Sequence, residues 1–129
     1  MPKAKSAGSF GRDPEREHRI AMEIIVDAYG PEEQAMGWYY YLEEKLRFPF
    51  RAKCISERAI SPLRKGDEVK IGGMAPETEC RHEMFVETRS ERRTLAIPLS
   101  QIEHIAMTDK NMKEAIEDWH YWVKQDYEL

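Results

Sequence analysis

Leu46-Arg47-Phe48-Pro49-Phe50-Arg51-Ala52-Lys53-Cys54-Ile55 is the stretch where the chain changes its period, and the change decides the fold. Upstream of it, apolar side chains recur every three or four residues; from Phe50 onward they alternate with Arg51 and Lys53. The first spacing lays apolar groups along one helix face, and the second lays them on one side of a strand. The chain therefore reads as a helical part followed by a β part.

Working back from that switch, the second helix is expected over 31–46, with Ala35, Tyr39, Leu42 and Leu46 as its apolar stripe and Met36, Trp38 and Tyr40 beside it. Pro31 suits a first helical turn, and Gly30 before it tolerates the left-handed conformation that ends a preceding helix. That preceding helix is expected to start at Asp13-Pro14, a capping residue followed by a proline, and to end near Tyr29, with Ile20, Ala21, Ile24, Ile25 and Ala28 facing inward. Together the two make an antiparallel helical hairpin over 13–47. Residues 1–12, rich in Lys, Ser, Gly and Ala, lack periodicity and are expected to form a flexible tail.

Working forward, Gly66, Gly72, Gly73, Pro62, Pro76 and Pro98 punctuate short runs. Strands are expected over 50–55, 68–71, 82–88 and 93–97, with a hairpin turn through 89–92. Pro98 to Glu103 reads as a short helical turn leading into a last strand over 102–107. Strands this short and closely spaced remove their edges by curling, so 48–107 is expected to form a small SH3-like β-barrel. Ala115, Ile116, Trp119, Trp122 and Val123 then return to helical spacing, and a C-terminal helix over 108–129 should pack on the hairpin or cap the barrel. The expected fold is thus a single α+β domain over 13–129.

Composition narrows the function. The 129 residues carry 20 basic and 24 acidic side chains, a net charge of −4 that argues against a generally cationic nucleic-acid binder. The mean hydropathy of −0.73, and apolar runs too short to span a bilayer, argue against a membrane protein. With no apolar signal core at the start, the expected location is the cytoplasm, where Cys54 and Cys80 would be buried thiols. Charge is unevenly spread: 13–47 holds four basic and nine acidic residues, whereas 48–100 holds ten basic and eight acidic.

Carboxylates are the residues with chemistry to offer. Asp27 is expected in the last turn of the first helix, and Glu43 and Glu44 in the last turns of the second, where the helix dipole disfavours negative charge and a bound cation would relieve the conflict. Glu32 and Glu33 sit at a helix start, where carboxylates are favoured without a ligand, yet the turn 27–33 can gather three acids. Solvated acidic helix faces are the simpler reading of the same spacing. A further acidic group, Glu114, Glu117, Asp118, Asp126 and Glu128, has Lys110 and Lys113 nearby and reads as solvated charge. Zinc is disfavoured, because Cys80, His82, Glu79 and Cys54 include no paired ligand motif. No EF-hand loop is present, so a calcium site would have to be assembled from separate segments; no phosphate loop, nucleophile elbow or serine in a triad setting is present either, so no enzymatic activity is expected. The alternative is an interaction module that takes a protein, peptide or nucleic acid on the barrel rim, where Arg64, Lys65, Arg89, Arg92 and Arg93 collect around Phe85.

The runs 23–29 (Glu-Ile-Ile-Val-Asp-Ala-Tyr), 35–43 (Ala-Met-Gly-Trp-Tyr-Tyr-Tyr-Leu-Glu) and 46–50 (Leu-Arg-Phe-Pro-Phe), with Ala52, Cys54, Gly66-Asp67-Glu68-Val69 and Pro98-Leu99, resemble the small cyanobacterial-type calcium-binding protein family, over most of 15–107. The resemblance implies a small non-EF-hand protein that binds Ca²⁺ through surface carboxylates and buffers or senses intracellular calcium. Carried onto this chain, it points to Asp27 within the matched motif and to Glu32, Glu33, Glu43 and Glu44 in or beside it. Calcium ions are then the expected partner, with no membrane and no nucleic acid.

Overall fold

A computed structural model describes residues 12–125. The expected tail lies outside them except for Arg12, as do Asp126 and Glu128. Helix α1 spans Pro14–Arg19, and Asp13 caps it by accepting a bond from the Arg16 amide at 3.0 Å. The chain continues without a break into a wide π-helical turn, Ile20–Ile24, closed by the Ile25 amide donating to the Ile20 carbonyl at 3.0 Å. The helix stops there, short of the expected Tyr29. Ala28, which fits the helical spacing, is instead reached by a turn in which its amide donates to Ile25. Asp27 takes the left-handed conformation, at φ 60°, that was expected of Gly30, while Gly30 is extended, with φ −145°.

Helix α2, Pro31–Lys45, buries Ala35, Trp38, Tyr39 and Leu42. Tyr40, expected beside the stripe, is half exposed. Gly37 is needed for packing: a Cβ there would lie well inside van der Waals contact with the Ile24 carbonyl oxygen, so its absence lets the π-turn seat directly on α2. The Tyr39 hydroxyl donates to the Ala75 carbonyl at 2.8 Å, which fixes α2 to the sheet.

The sheet is antiparallel, with β1 Phe50–Cys54, β2 Glu68–Met74, β3 Phe85–Ser90, β4 Arg93–Pro98 and β5 Ile102–His104. Its order is β4-β3-β2-β1-β5, with Phe50 opposite Ile71 and Cys54 opposite Ile102. A register shift between Ile71 and Gly73 bends β2, and Glu91 at φ 58° turns the tight β3–β4 hairpin. The ladder ends at β4 on one side and β5 on the other, so the described strands form an open sheet where a closed barrel was expected. The reason lies in β5, which is only three residues long and pairs with β1 alone. The strand expected from His82 starts at Phe85, because Glu77–Glu79 form a 3₁₀ turn and the chain bends before entering the sheet.

Helix α3, Lys110–Lys124, is capped by Asp109, which accepts from the Asn111 and Met112 amides at 2.9 and 3.1 Å. Trp119 and Trp122 meet Trp38 at ring-centroid distances of 5.1 and 5.6 Å, so α3 packs on α2 as expected. Asp118, expected to be solvated, is 0% exposed. It accepts from Arg19 Nη2 at 2.6 Å and from the Tyr41 hydroxyl at 3.1 Å, and Arg16 Nη1 stands 3.2 Å away. Since α1 buries no residue of its own, polar contacts hold it against α3: these around Asp118, and those of the Tyr121 hydroxyl, which accepts from the Asp13 amide at 3.1 Å and donates to Glu17 at 2.6 Å. Burial, and then the Asp118 charge, push the Tyr41 phenol above its ordinary range. No helix among the described residues is long and apolar enough to cross a membrane.

Three stability measurements check this account. Gly37→Ala should cost about 2 kcal/mol in urea unfolding, the usual scale of overpacking; a wild-type midpoint would mean that the π-turn does not seat on α2. Asp118→Asn should cost about 3 kcal/mol, because two half-buried guanidinium groups lose the buried charge that pairs them. His120 faces the Leu99 carbonyl at 3.2 Å, and burial holds its pKa below the ordinary 6.5. The unfolded chain therefore takes up a proton on this side chain that the folded one refuses, and stability should fall as pH drops below about 6.5. His120→Gln should flatten that acid limb, and equal acid sensitivity in both proteins would remove His120 as its cause.

Candidate functional site

All five carboxylates singled out in the sequence, Asp27, Glu32, Glu33, Glu43 and Glu44, are exposed, and the fold divides them. At 1.5 Å per residue, Glu32 and Glu43 stand about 16 Å apart along α2, so no single ion spans both ends. Glu32 and Glu33 lie in the first turn of α2. Glu33 Oε1 accepts from the Tyr29 amide at 3.3 Å and so ties the helix start back to the connection. Asp27 does not sit in a last helical turn as expected, because the helix ends at Ile24; it stands in the connection itself. The dipole argument for a cation at Asp27 therefore lapses.

The structure adds an acid that local spacing could not indicate. Glu77, in the 3₁₀ turn, lies across from α2 and accepts from the Tyr40 hydroxyl at 2.8 Å. That bond is the main reason the Tyr40 phenol is held above its ordinary range. Glu32 and Glu77 line one pocket of about 180 Å³ between the helix start and the 3₁₀ turn, together with Thr78, Cys80 and Arg81. The Tyr39 phenol beside it is raised first by burial and then by the charges of Glu43 and Glu77. At the other end of α2, Glu44 shares a pocket of about 310 Å³ with Glu23 of the π-turn, and Lys45 provides a counter-charge there, 4.0 Å from Glu44.

The donors are therefore carboxylate oxygens, the type a hard cation takes, presented in pairs on a wet surface. Among the described residues no three His, Cys, Asp or Glu side chains are grouped closely enough to hold a metal ion by themselves. Cys80 is a buried thiol whose pKa burial raises, and its sulfur accepts from the Phe85 amide at 3.4 Å. Cys54 is likewise buried and free. Phe85 packs against the core instead of standing out as a stacking platform at the sheet rim. The rim does hold a shallow depression of about 480 Å³ over Gly72, between Lys70 and Arg89, with Glu87 in its lining.

Comparison with known proteins bears on this arrangement of acids. A calcium-binding family model of the CcbP type matches residues 18–123. The crystal structure of Anabaena CcbP is 43% identical and superposes with a TM-score of 0.81, covering 94% of this chain and 98% of that one. A calcium-binding protein solved in its calcium-binding form is 42% identical, with a TM-score of 0.76 and coverage of 92% and 96%. Among curated proteins none matches. The matched span runs from the end of α1 almost to the end of α3 and takes in Asp27, the acids of α2 and Glu77, and the chain belongs to the CcbP calcium-binding family.

Proposed function

We propose that this protein is a non-catalytic, cytoplasmic calcium buffer or sensor, a single domain over 13–129 whose ions are held by exposed carboxylate pairs. The observation that carries the reading is the family match over 18–123. The geometry supports a loose form of it. Ca²⁺ takes six to eight oxygens, and Glu32 with Glu77 supply two carboxylates across one pocket, leaving the Thr78 hydroxyl, backbone carbonyls and water to complete the shell. Asp27 and Glu33 would form a second pair at the connection, and Glu44 and Glu23, which line one pocket, a third at the far end of α2, with Glu43 beside Glu44 in sequence. Binding at any of these offsets the repulsion of like charges without demanding that a buried cage be assembled. Arg81 at the first pocket and Lys45 at the last oppose the ion and weaken it.

The finer description of the sheet belongs to the same proposal. With β5 returning beside β1, the strand order suits a small SH3-like barrel left open between β4 and β5. The alternative, an interaction module on the sheet rim, has the depression between Lys70 and Arg89 as its support, but Glu87 lies in that lining and no aromatic side chain does.

Calorimetry on chelator-treated protein, with Mg²⁺ as control, tests the reading. Ca²⁺ should bind saturably with a dissociation constant on the order of 10⁻⁴ M, and Mg²⁺ more weakly. Glu32→Gln with Glu77→Gln should weaken one class of site roughly tenfold, about 1.4 kcal/mol, and Asp27→Asn with Glu33→Gln should weaken another. Absence of both heat and thermal stabilisation at millimolar Ca²⁺ would overturn the proposal.

A further inference from the structure

Of the large apolar side chains that stand exposed among the described residues, Met22, Val26 and Tyr29 fall in one short segment, at 57%, 49% and 87% exposure. Single exposed apolar residues are ordinary, but several in one place mark a contact surface. Packing does not account for them, since the inward positions of this segment are filled by Ile20 and Ile24. The segment is also held in place: the Ile24 carbonyl sits against Gly37, and Glu33 anchors the Tyr29 amide. Tyr and Met are side chains that interfaces favour, Tyr for large contact area at modest ordering cost and Met for a flexible thioether that adapts to its partner.

Four exposed carboxylates, Glu23, Asp27, Glu32 and Glu33, are interleaved with the apolar three or follow directly, and none of them forms a salt bridge among the described residues. The charge selects the occupant. Nucleic acid and anionic membrane are repelled, and a second copy docking by the same face would oppose these acids to their own images. We infer that the segment Met22–Glu33 is a docking surface for a cationic amphipathic segment of a partner protein, whose apolar side chains cover Met22, Val26 and Tyr29 while its Lys or Arg groups meet the four carboxylates. Because Asp27, Glu32 and Glu33 are also proposed calcium donors, Ca²⁺ and the partner compete here; this second half rests on the calcium reading, and the docking surface does not.

The test is fluorescence anisotropy of a labelled amphipathic helix built from leucine and lysine, with a leucine–glutamate helix as control, in physiological salt. The lysine peptide should bind with micromolar affinity and the glutamate peptide should not. Met22→Ser with Tyr29→Ser should weaken binding roughly tenfold while leaving the melting temperature unchanged, and Asp27→Asn with Glu33→Gln should weaken it by a similar factor through charge. Equal binding by the serine variant, or no binding by the wild type at millimolar peptide, would overturn the docking surface. Saturating Ca²⁺ should raise the apparent dissociation constant. Peptide binding that ignores Ca²⁺, in a protein that gives no calcium heat, leaves the surface standing and removes the calcium reading. Calcium heat without peptide binding does the reverse.

Discussion

Trp38 is buried completely, and its ring meets Trp119, Trp122 and Tyr41 at once, so it fixes where α2 lies on α3. Everything that bears charge in the helical half is positioned by that contact. One residue before Trp119, Asp118 is carried into the same interior, where a carboxylate is tolerated only if cations and donors surround it. Arg16, Arg19 and Tyr41 surround it, and with the Tyr121 hydroxyl they hold α1, which buries no residue, to the molecule. The aromatic cluster thus dictates the ion cluster, and the ion cluster dictates where the chain enters the π-turn and the connection that follows.

With the interior fixed in this way, the acids of α2 stay on the surface. Glu32 and Glu33 are stabilised at the start of α2 by the helix dipole, whereas Glu43 and Glu44 at its end are disfavoured by it, with Lys45 as a partial remedy. The two ends of α2 therefore differ in how their carboxylates would respond to a cation. The start of the helix holds carboxylates that are comfortable without an ion, and the end holds carboxylates that gain from one.

Much of this was legible in the chain. The change of period at Phe48-Pro49-Phe50 correctly separated helices from strands, the hairpin through 89–92 lies where Glu91 turns, and the aromatic face of the last helix does meet α2. The end of the first helix was not legible, because Ala28 keeps helical spacing while lying on a turn, and because the left-handed residue is Asp27 instead of the glycine three positions on. Asp118 looked like its neighbours Glu114 and Glu117, and its burial depends on two arginines about a hundred residues away, which no local pattern reports. The site was half legible for the same reason: the acids of α2 can be read from its spacing, but Glu77 comes to Glu32 only through the way the 3₁₀ turn folds back on the helix.

The pairing of carboxylates across separate elements has a consequence for how an ion would be held. A cage of closely set acids would repel itself strongly when empty and would have to be stabilised elsewhere in a protein of this size, whereas Glu32 and Glu77 sit on opposite walls of an open pocket and are solvated when no ion is bound. The empty form then carries little strain, and the gain on binding is correspondingly small, because water must be displaced from both acids and their side chains ordered. Such a site would exchange its ion readily, and the arrangement of the interior, fixed by Trp38 and Asp118, would be the same with the ion or without it, the ion adding only the modest stability that its binding supplies.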